Sequence, residues 1–132
     1  MCSSCAIKIE DIWLDFRQDQ DYRTPDYNVG EIFTISLINE NEIRIAPQDI
    51  SISKESFINA LHYLRANQHF INSPCEIRSN NNRNQAGPLC IAARDSNNNV
   101  RCINYIVPIL RNFGLVGISG NQPNSTWLLC QL

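Results

Sequence analysis

The sequence contains few of the residues on which active sites and metal centres are usually built. Its only histidines are His62 and His69. It has no glycine-rich phosphate loop, no paired metal-binding histidines and no nucleophile elbow. The segments Pro25-Asp26 and Glu42-Ile43-Arg44 match a metal-dependent nuclease pattern only in part, because arginine stands where lysine is expected. We therefore predict no catalytic residue, no metal and no cofactor, and we do not expect an enzyme.

Long apolar runs are also absent. No stretch approaches the roughly 18 apolar residues of a membrane span, and the N-terminus lacks the basic-then-apolar pattern of a signal peptide. We expect a soluble, cytoplasmic protein with no membrane partner. A length of 132 residues fits one domain with a small appended element.

The six cysteines do not form a complete metal-binding pattern. Cys2 and Cys5 make a CxxC, but no second CxxC follows, and the other cysteines stand alone. Cys90, Cys102 and Cys130 lie within apolar faces, where a thiol behaves as a small hydrophobe, so we predict that they are buried and reduced. The role of the Cys2–Cys5 pair stays open, although a frayed, non-functional end is the simpler interpretation.

Charge is distributed unevenly along the chain. Residues 1–53 carry four basic and ten acidic side chains, whereas residues 54–132 carry seven basic and three acidic ones. Only the second part has the sign that attracts nucleic acid. No charged residue follows Arg111.

The acidic part has the pattern of strands. The run at residues 31–38 and the alternating run at residues 43–45 are separated by a polar turn, which predicts a β-hairpin. Residues 6–16 predict a strand or a helix, and residues 17–30 a loop. We predict that residues 1–52 form an acidic, strand-rich N-terminal element.

Three helices are predicted in the second part. Ser53 can cap a helix over residues 54–67, and Pro88 can open one that ends at Arg94. A possible strand at residues 75–78 and an asparagine-rich loop lie between them.

The third helix, over residues 100–113, is predicted to have one apolar and one polar face. Ile103, Ile106, Val107, Leu110 and Phe113 form the apolar face. The opposite, solvent-exposed face comprises Arg101, Asn104, Tyr105, Pro108, Arg111 and Asn112. Gly114 then ends the helix, and two short β-prone runs predict a hairpin.

This order of elements resembles the winged helix-turn-helix. The resemblance covers about residues 53–130 and is carried by SKESFINALHYL, GPLCIAAR, VRCINYIVPILRNFGLV and PNSTWLL. The third of these segments is similar to winged-helix modules that accompany bacterial restriction enzymes. The resemblance implies an α+β fold with a winged-helix domain at residues 53–132, in which the third helix enters the major groove of double-stranded DNA.

The resemblance also implies which residues contact DNA. Asn97, Asn98, Asn99, Arg101, Asn104 and Tyr105 fall where the family reads bases, and Arg78, Arg83 and Arg94 would contact phosphates. The simpler alternative is that the asparagines form a helix cap and a turn. The function expected is a DNA-binding regulator, or the recognition part of a restriction or defence system.

The uncharged hairpin departs from the family. In the family this hairpin is the wing that contacts DNA. A wing without charge releases no counterions from DNA, so the affinity of the isolated module for DNA would be low. A DNA-binding module would then need a protein partner or a homodimer. The alternative is a protein-interaction adaptor in which Trp13, Trp127 and the hairpin bury against another protein.

Overall fold

The computed structural model describes residues 3–25, 30–121 and 123–129, and over these ranges the fold is α+β. The helices are α1 (Ser3–Trp13), α2 (Lys54–Ala66), α3 (Pro88–Arg94) and α4 (Ile103–Asn112), with one 3-10 turn at Arg83–Gln85. The strands are β1 (Tyr22–Arg23), β2 (Ile32–Ile38), β3 (Glu42–Ala46), β4 (Ile50–Ser53), β5 (Cys75–Glu76), β6 (Val116–Ser119) and β7 (Ser125–Leu128). They form two antiparallel sheets.

The N-terminal sheet has the order β1-β2-β3-β4. The predicted hairpin is confirmed as β2 and β3, which pair from Thr34–Ala46 to Ile38–Ile43. The sequence pattern does not predict the two flanking strands, because β1 has two residues within a polar segment and β4 has four. Alternation places one face in the core, with Phe33, Ile35, Ile43, Ile45 and Ile52 buried.

Residues 3–13 adopt the helical alternative. Cys5, Ile9 and Trp13 follow at four-residue steps and are at most 1 % exposed, so α1 buries one stripe. The expectation of a frayed N-terminal end is therefore wrong at Cys5; Cys2 lies outside the described residues. The Trp13 ring meets Phe57 of α2 edge-on at 5.3 Å between centroids, and its Nε1 donates to the Asn39 carbonyl.

Local signals set the ends of three helices as predicted. Ser53 caps α2, because its Oγ accepts from the Ser56 N–H at 3.1 Å. Pro88 is the first residue of α3. Gly114 follows α4 with φ +73°, a left-handed conformation that glycine adopts without steric cost.

The C-terminal sheet has the order β5-β7-β6. The predicted hairpin is β6 and β7, and β5 joins it through Cys75–Thr126 and Glu76–Ser125. One hydrophobic core runs from α1 and the N-terminal sheet to α4 and this hairpin. The predicted boundary at residues 52 and 53 falls at the junction of β4 and α2. No helix in the described ranges is both long and apolar enough to cross a bilayer.

The polar face predicted for α4 is wrong over most of its length. Asn104, Tyr105 and Pro108 are buried. The N-terminal sheet covers Tyr105, whereas Asn104 lines a cavity together with residues of β5 and of the β6–β7 hairpin. The Phe33 ring of β2 meets the Tyr105 ring edge-on at 5.2 Å and 80°. Only Arg111 and Asn112, at the end of the helix, are exposed.

The start of α4 also differs, since it begins at Ile103 rather than at residue 100. Asn98 and Asn99 have φ of 54° and 59°, which a right-handed helix does not allow. Residues 95–102 therefore connect α3 to α4, with a turn at residues 95–99, hereafter the α3–α4 turn.

We expect Ser53→Ala to lower the free energy of unfolding by about 1 kcal/mol, because a cap is lost. The same Oγ also donates to the Ser96 carbonyl at 2.6 Å, which ties α2 to the α3–α4 turn. Urea titration followed by circular dichroism measures the change. Ser73→Ala is the control, since Ser73 is exposed and its hydroxyl makes no hydrogen bond in the described part of the chain. Equal stability of the two variants would contradict the prediction.

Candidate functional site

The nine residues predicted to contact DNA divide into an interior group and a surface group. Arg94, Asn97, Asn104 and Tyr105 are at most 6 % exposed. Arg78, Arg83, Asn98 and Asn99 are exposed, and Arg101 is half-buried. Readout of a base edge requires an accessible side chain, so the interior group cannot act as predicted without rearrangement.

Asn97 holds the α3–α4 turn against the outer edge of β4. Its Nδ2 donates to the Ser51 carbonyl at 3.0 Å, and its Oδ1 accepts from the Ser53 N–H at 2.9 Å. The amide thus pairs with a strand as a neighbouring peptide group would. Asn97 therefore has the structural role that the simpler alternative assigns to the asparagines of the turn. The backbone groups that it binds, however, lie far away in sequence.

Arg94 supports the asparagine-rich loop from inside. Its guanidinium donates to the Asn80 carbonyl at 2.9 Å, to the Asn81 carbonyl at 3.1 Å and to the Asn99 carbonyl at 2.9 Å. Carbonyl dipoles compensate the charge, and four hydrogen bonds engage its N–H donors. Arg94 lies in the last turn of a short helix that a polar turn follows. A basic residue in that position often binds carbonyl groups at the helix end, and this signal could have indicated the structural role of Arg94 from the sequence.

Asn104 is the most unusual of the interior group. Its side chain lines a polar cavity of about 190 Å³, yet no residue in the described ranges donates to its buried Oδ1. Buried polar atoms in folded proteins nearly always have a partner, so such an atom requires an explanation.

The surface group lies around the start of α4. Arg83 forms an ion pair with Asp95 at 2.7 Å and donates to the Asn99 Oδ1 at 2.8 Å. The side chains of Arg78 and Arg101 make no hydrogen bond or ion pair within residues 3–25, 30–121 and 123–129. Unpaired guanidinium groups beside exposed asparagine side chains can bind an anion such as a phosphate.

The tryptophans proposed for protein contact differ in accessibility. Trp13 is 1 % exposed, so it cannot meet a partner and this part of the expectation is wrong. Trp127 is half-buried and lies across Gly117, its strand partner, where an added Cβ would come within 2.5 Å of the indole. The hairpin therefore presents one aromatic ring and no charge.

The described cysteines are buried and free. This confirms the predicted burial of Cys90 and Cys102, whereas Cys130 lies outside the described residues. Burial raises the pKa of Cys102 to about 12 and the pKa of Cys75 to about 11. Both thiols are therefore protonated at neutral pH and unreactive.

Acidic and metal-ligating side chains are dispersed. In the described ranges no group of three or more His, Cys, Asp or Glu side chains could hold a metal ion. Of the partial nuclease pattern, Asp26 lies outside those ranges, and Arg44 forms an ion pair with Asp49 at 2.8 Å.

No protein-family model, curated protein or solved structure matches the chain.

We expect Asn97→Ala to lower the free energy of unfolding by about 2 kcal/mol, because it leaves the Ser51 carbonyl and the Ser53 N–H without a partner. Thermal and urea unfolding measure the change, and Asn72→Ala is the control because Asn72 is exposed and its side chain makes no hydrogen bond in the described part of the chain. A variant as stable as wild type would contradict the structural role of Asn97.

We expect Cys102 in the folded protein to resist alkylation by iodoacetamide at pH 8, because the thiolate with a pKa of about 12 is scarce and buried. Mass spectrometry of the digested protein gives the extent of reaction at each cysteine. The same chain unfolded in urea should react readily. Rapid reaction of Cys102 in the folded state would contradict the prediction.

Proposed function

We propose that residues 53–132 are a winged-helix module that binds double-stranded DNA through Arg83, Asn98, Asn99 and Arg101, hereafter the turn surface. The observation that carries the proposal is the position of Arg101, a guanidinium without a partner in the described chain, directly before α4. In the winged-helix arrangement this end of the helix meets base edges.

The order of elements supports the fold part of the proposal. Helix α2, strand β5, helices α3 and α4 and the β6–β7 hairpin follow one another, and β7 pairs between β5 and β6. This order and pairing resemble a winged helix. Because residues 103–110 of α4 are buried, direct readout is restricted to the residues that precede the helix. A regulator or the recognition part of a restriction system are the roles that such a module serves.

The charges near the turn surface support a modest affinity for DNA. Residues 76–111 contain five arginines and two acidic residues, but Asp95 neutralises Arg83 and Arg94 is buried. Few phosphates can therefore be neutralised, and tight binding would need a second DNA contact from a homodimer or a partner.

The experiment is a binding titration of a selected duplex and a scrambled duplex at two salt concentrations. Arg101→Ala should lower affinity for the selected duplex by ~1–3 kcal/mol and reduce discrimination. Asp95→Asn should tighten binding to both duplexes, because it removes the negative charge that opposes phosphate beside Arg83.

Arg17→Ala is the matched control. It removes the same charge from an exposed arginine that pairs with Asp19 in the acidic part of the chain, and binding should be unchanged. If wild type shows no salt-dependent binding to any duplex, the DNA proposal fails.

The alternative function is contact with another protein through the hairpin. What favours it is that the hairpin which carries the half-buried Trp127 has no charged residue. This alternative predicts that Trp127→Ala, and not Arg101→Ala, abolishes the interaction, and that the interaction depends little on salt.

A further inference from the structure

A groove runs along the surface from the end of α1, past the turn between β2 and β3, to the α3–α4 turn. It consists of three adjoining cavities of about 440, 440 and 470 Å³. The first and the second share Glu10, Asn41 and Lys54, and the second and the third share Asn41, Ser53 and Ser96. Each cavity falls in the range of roughly 300–1,000 Å³ that ligand pockets occupy. We call the three together the junction groove.

The junction groove carries more negative than positive charge. Five acidic and two basic side chains line it. Lys54 pairs with Glu10 at 2.9 Å, and Arg44 pairs with Asp49 at 2.8 Å. The other three carboxylates make no hydrogen bond or ion pair in the described chain, and one lies in each cavity: Glu40 in the first, Glu55 in the second and Glu42 in the third. The groove therefore attracts a cationic ligand and repels nucleic acid and anionic lipid.

Both ends of the groove expose an apolar side chain. Leu14, in the first cavity, is 83 % exposed, and Val100, in the third, is 44 % exposed. A partner that covers these side chains removes apolar surface from water, which favours binding. A metal ion or a polyamine offers no apolar side chain for this purpose. The groove therefore suits a ligand that combines positive charge with apolar groups.

Two accessible amides add a third kind of contact. The side chains of Asn41, which lines all three cavities, and of Asn98, which lines the third, are exposed and make no hydrogen bond within the described residues. Each amide can donate to a peptide carbonyl and accept from a peptide N–H. An extended peptide exposes these backbone groups, whereas a helix uses most of its own. Asn97 occupies the Ser51 carbonyl and the Ser53 N–H, so a peptide cannot add to β4 at this point and the two amides bind its backbone instead.

We propose that the junction groove binds an extended, basic segment of a partner protein, in which lysine or arginine side chains lie between two apolar ones. The basic side chains pair with the free carboxylates of Glu40, Glu42 and Glu55. The apolar side chains cover Leu14 and Val100 at the two ends. This order follows the order of the lining residues along the three cavities.

A second copy of the chain does not supply such a segment. The chain has eleven lysines and arginines, and the two nearest to each other, Arg78 and Arg83, are five positions apart. The partner is therefore a different protein. The inference does not rest on DNA binding, because neither Arg83 nor Arg101 lines the groove.

The test begins with a selection, in which the full chain, without DNA, is presented with random twelve-residue peptides displayed on phage. The enriched peptides should carry net positive charge, with apolar residues on both sides of the basic ones. The affinity of the most enriched peptide is then measured by fluorescence anisotropy with a labelled synthetic copy. Enrichment of no peptide, or only of neutral or acidic peptides, overturns the proposal.

Two variants separate the charged contacts from the apolar ones. Glu40→Gln combined with Glu42→Gln should weaken binding of the peptide about three- to tenfold at low salt, because each exposed ion pair contributes modestly, and the effect should shrink at high salt. Leu14→Ser should weaken binding by an amount that depends little on salt. Glu76→Gln is the matched control, since it neutralises an exposed carboxylate that does not line the groove.

Circular dichroism checks that the variants remain folded, as expected from the exposure of Leu14 and Glu40. Wild-type affinity in both groove variants would place the peptide elsewhere and overturn the proposal.

Two further measurements separate a basic peptide from the other occupants. Spermine should fail to displace the labelled peptide at concentrations at which the unlabelled peptide does, and equal displacement would show that the groove recognises charge alone. Sedimentation of the chain by itself should give a monomer, and a dimer that Glu40→Gln with Glu42→Gln dissociates would show that a second copy occupies the groove. Either contrary result overturns the proposal. Because no DNA is present, failure of this proposal is distinct from failure of duplex binding.

Discussion

Burial of α4 on several sides is the constraint on which the rest of the structure depends. Eight of its ten residues, from Ile103 to Leu110, are buried. It contacts β6, α3 and β1. Because the N-terminal sheet takes the face that would otherwise be free, any polar function of this helix is confined to its two ends. The turn surface and the cavity beneath Asn104 both lie at the first of these ends.

Local chemistry allowed much of the fold to be predicted from the sequence. The caps at Ser53 and Gly114 and the proline at the start of α3 act over a few residues, so their effect can be inferred without tertiary structure. The apolar stripe of α4 was also identified correctly. The burial of its other face could not be predicted. Tyr105 packs on Phe33 of a strand that is distant in sequence, and no short-range pattern specifies that contact.

The candidate site was less predictable because arginine and asparagine serve interior and surface roles equally well. Arg94 and Arg101 are close in sequence, yet the first donates to three loop carbonyls while the second has no partner in the described chain. The difference arises from the path of the asparagine-rich loop, which surrounds one guanidinium with acceptors. The residue types alone identify the region as polar. The path of the backbone determines which side chains remain accessible to a ligand.

The pairing of Asn97 with β4 also bears on self-association. β4 is the outer strand of its sheet, and the Ser51 carbonyl and Ser53 N–H point away from β3 toward the amide. Unpaired groups on an outer strand form a template to which a strand of another molecule can add. By occupying them, one side chain blocks that addition at this end of β4, so the α3–α4 turn also protects the sheet against aggregation.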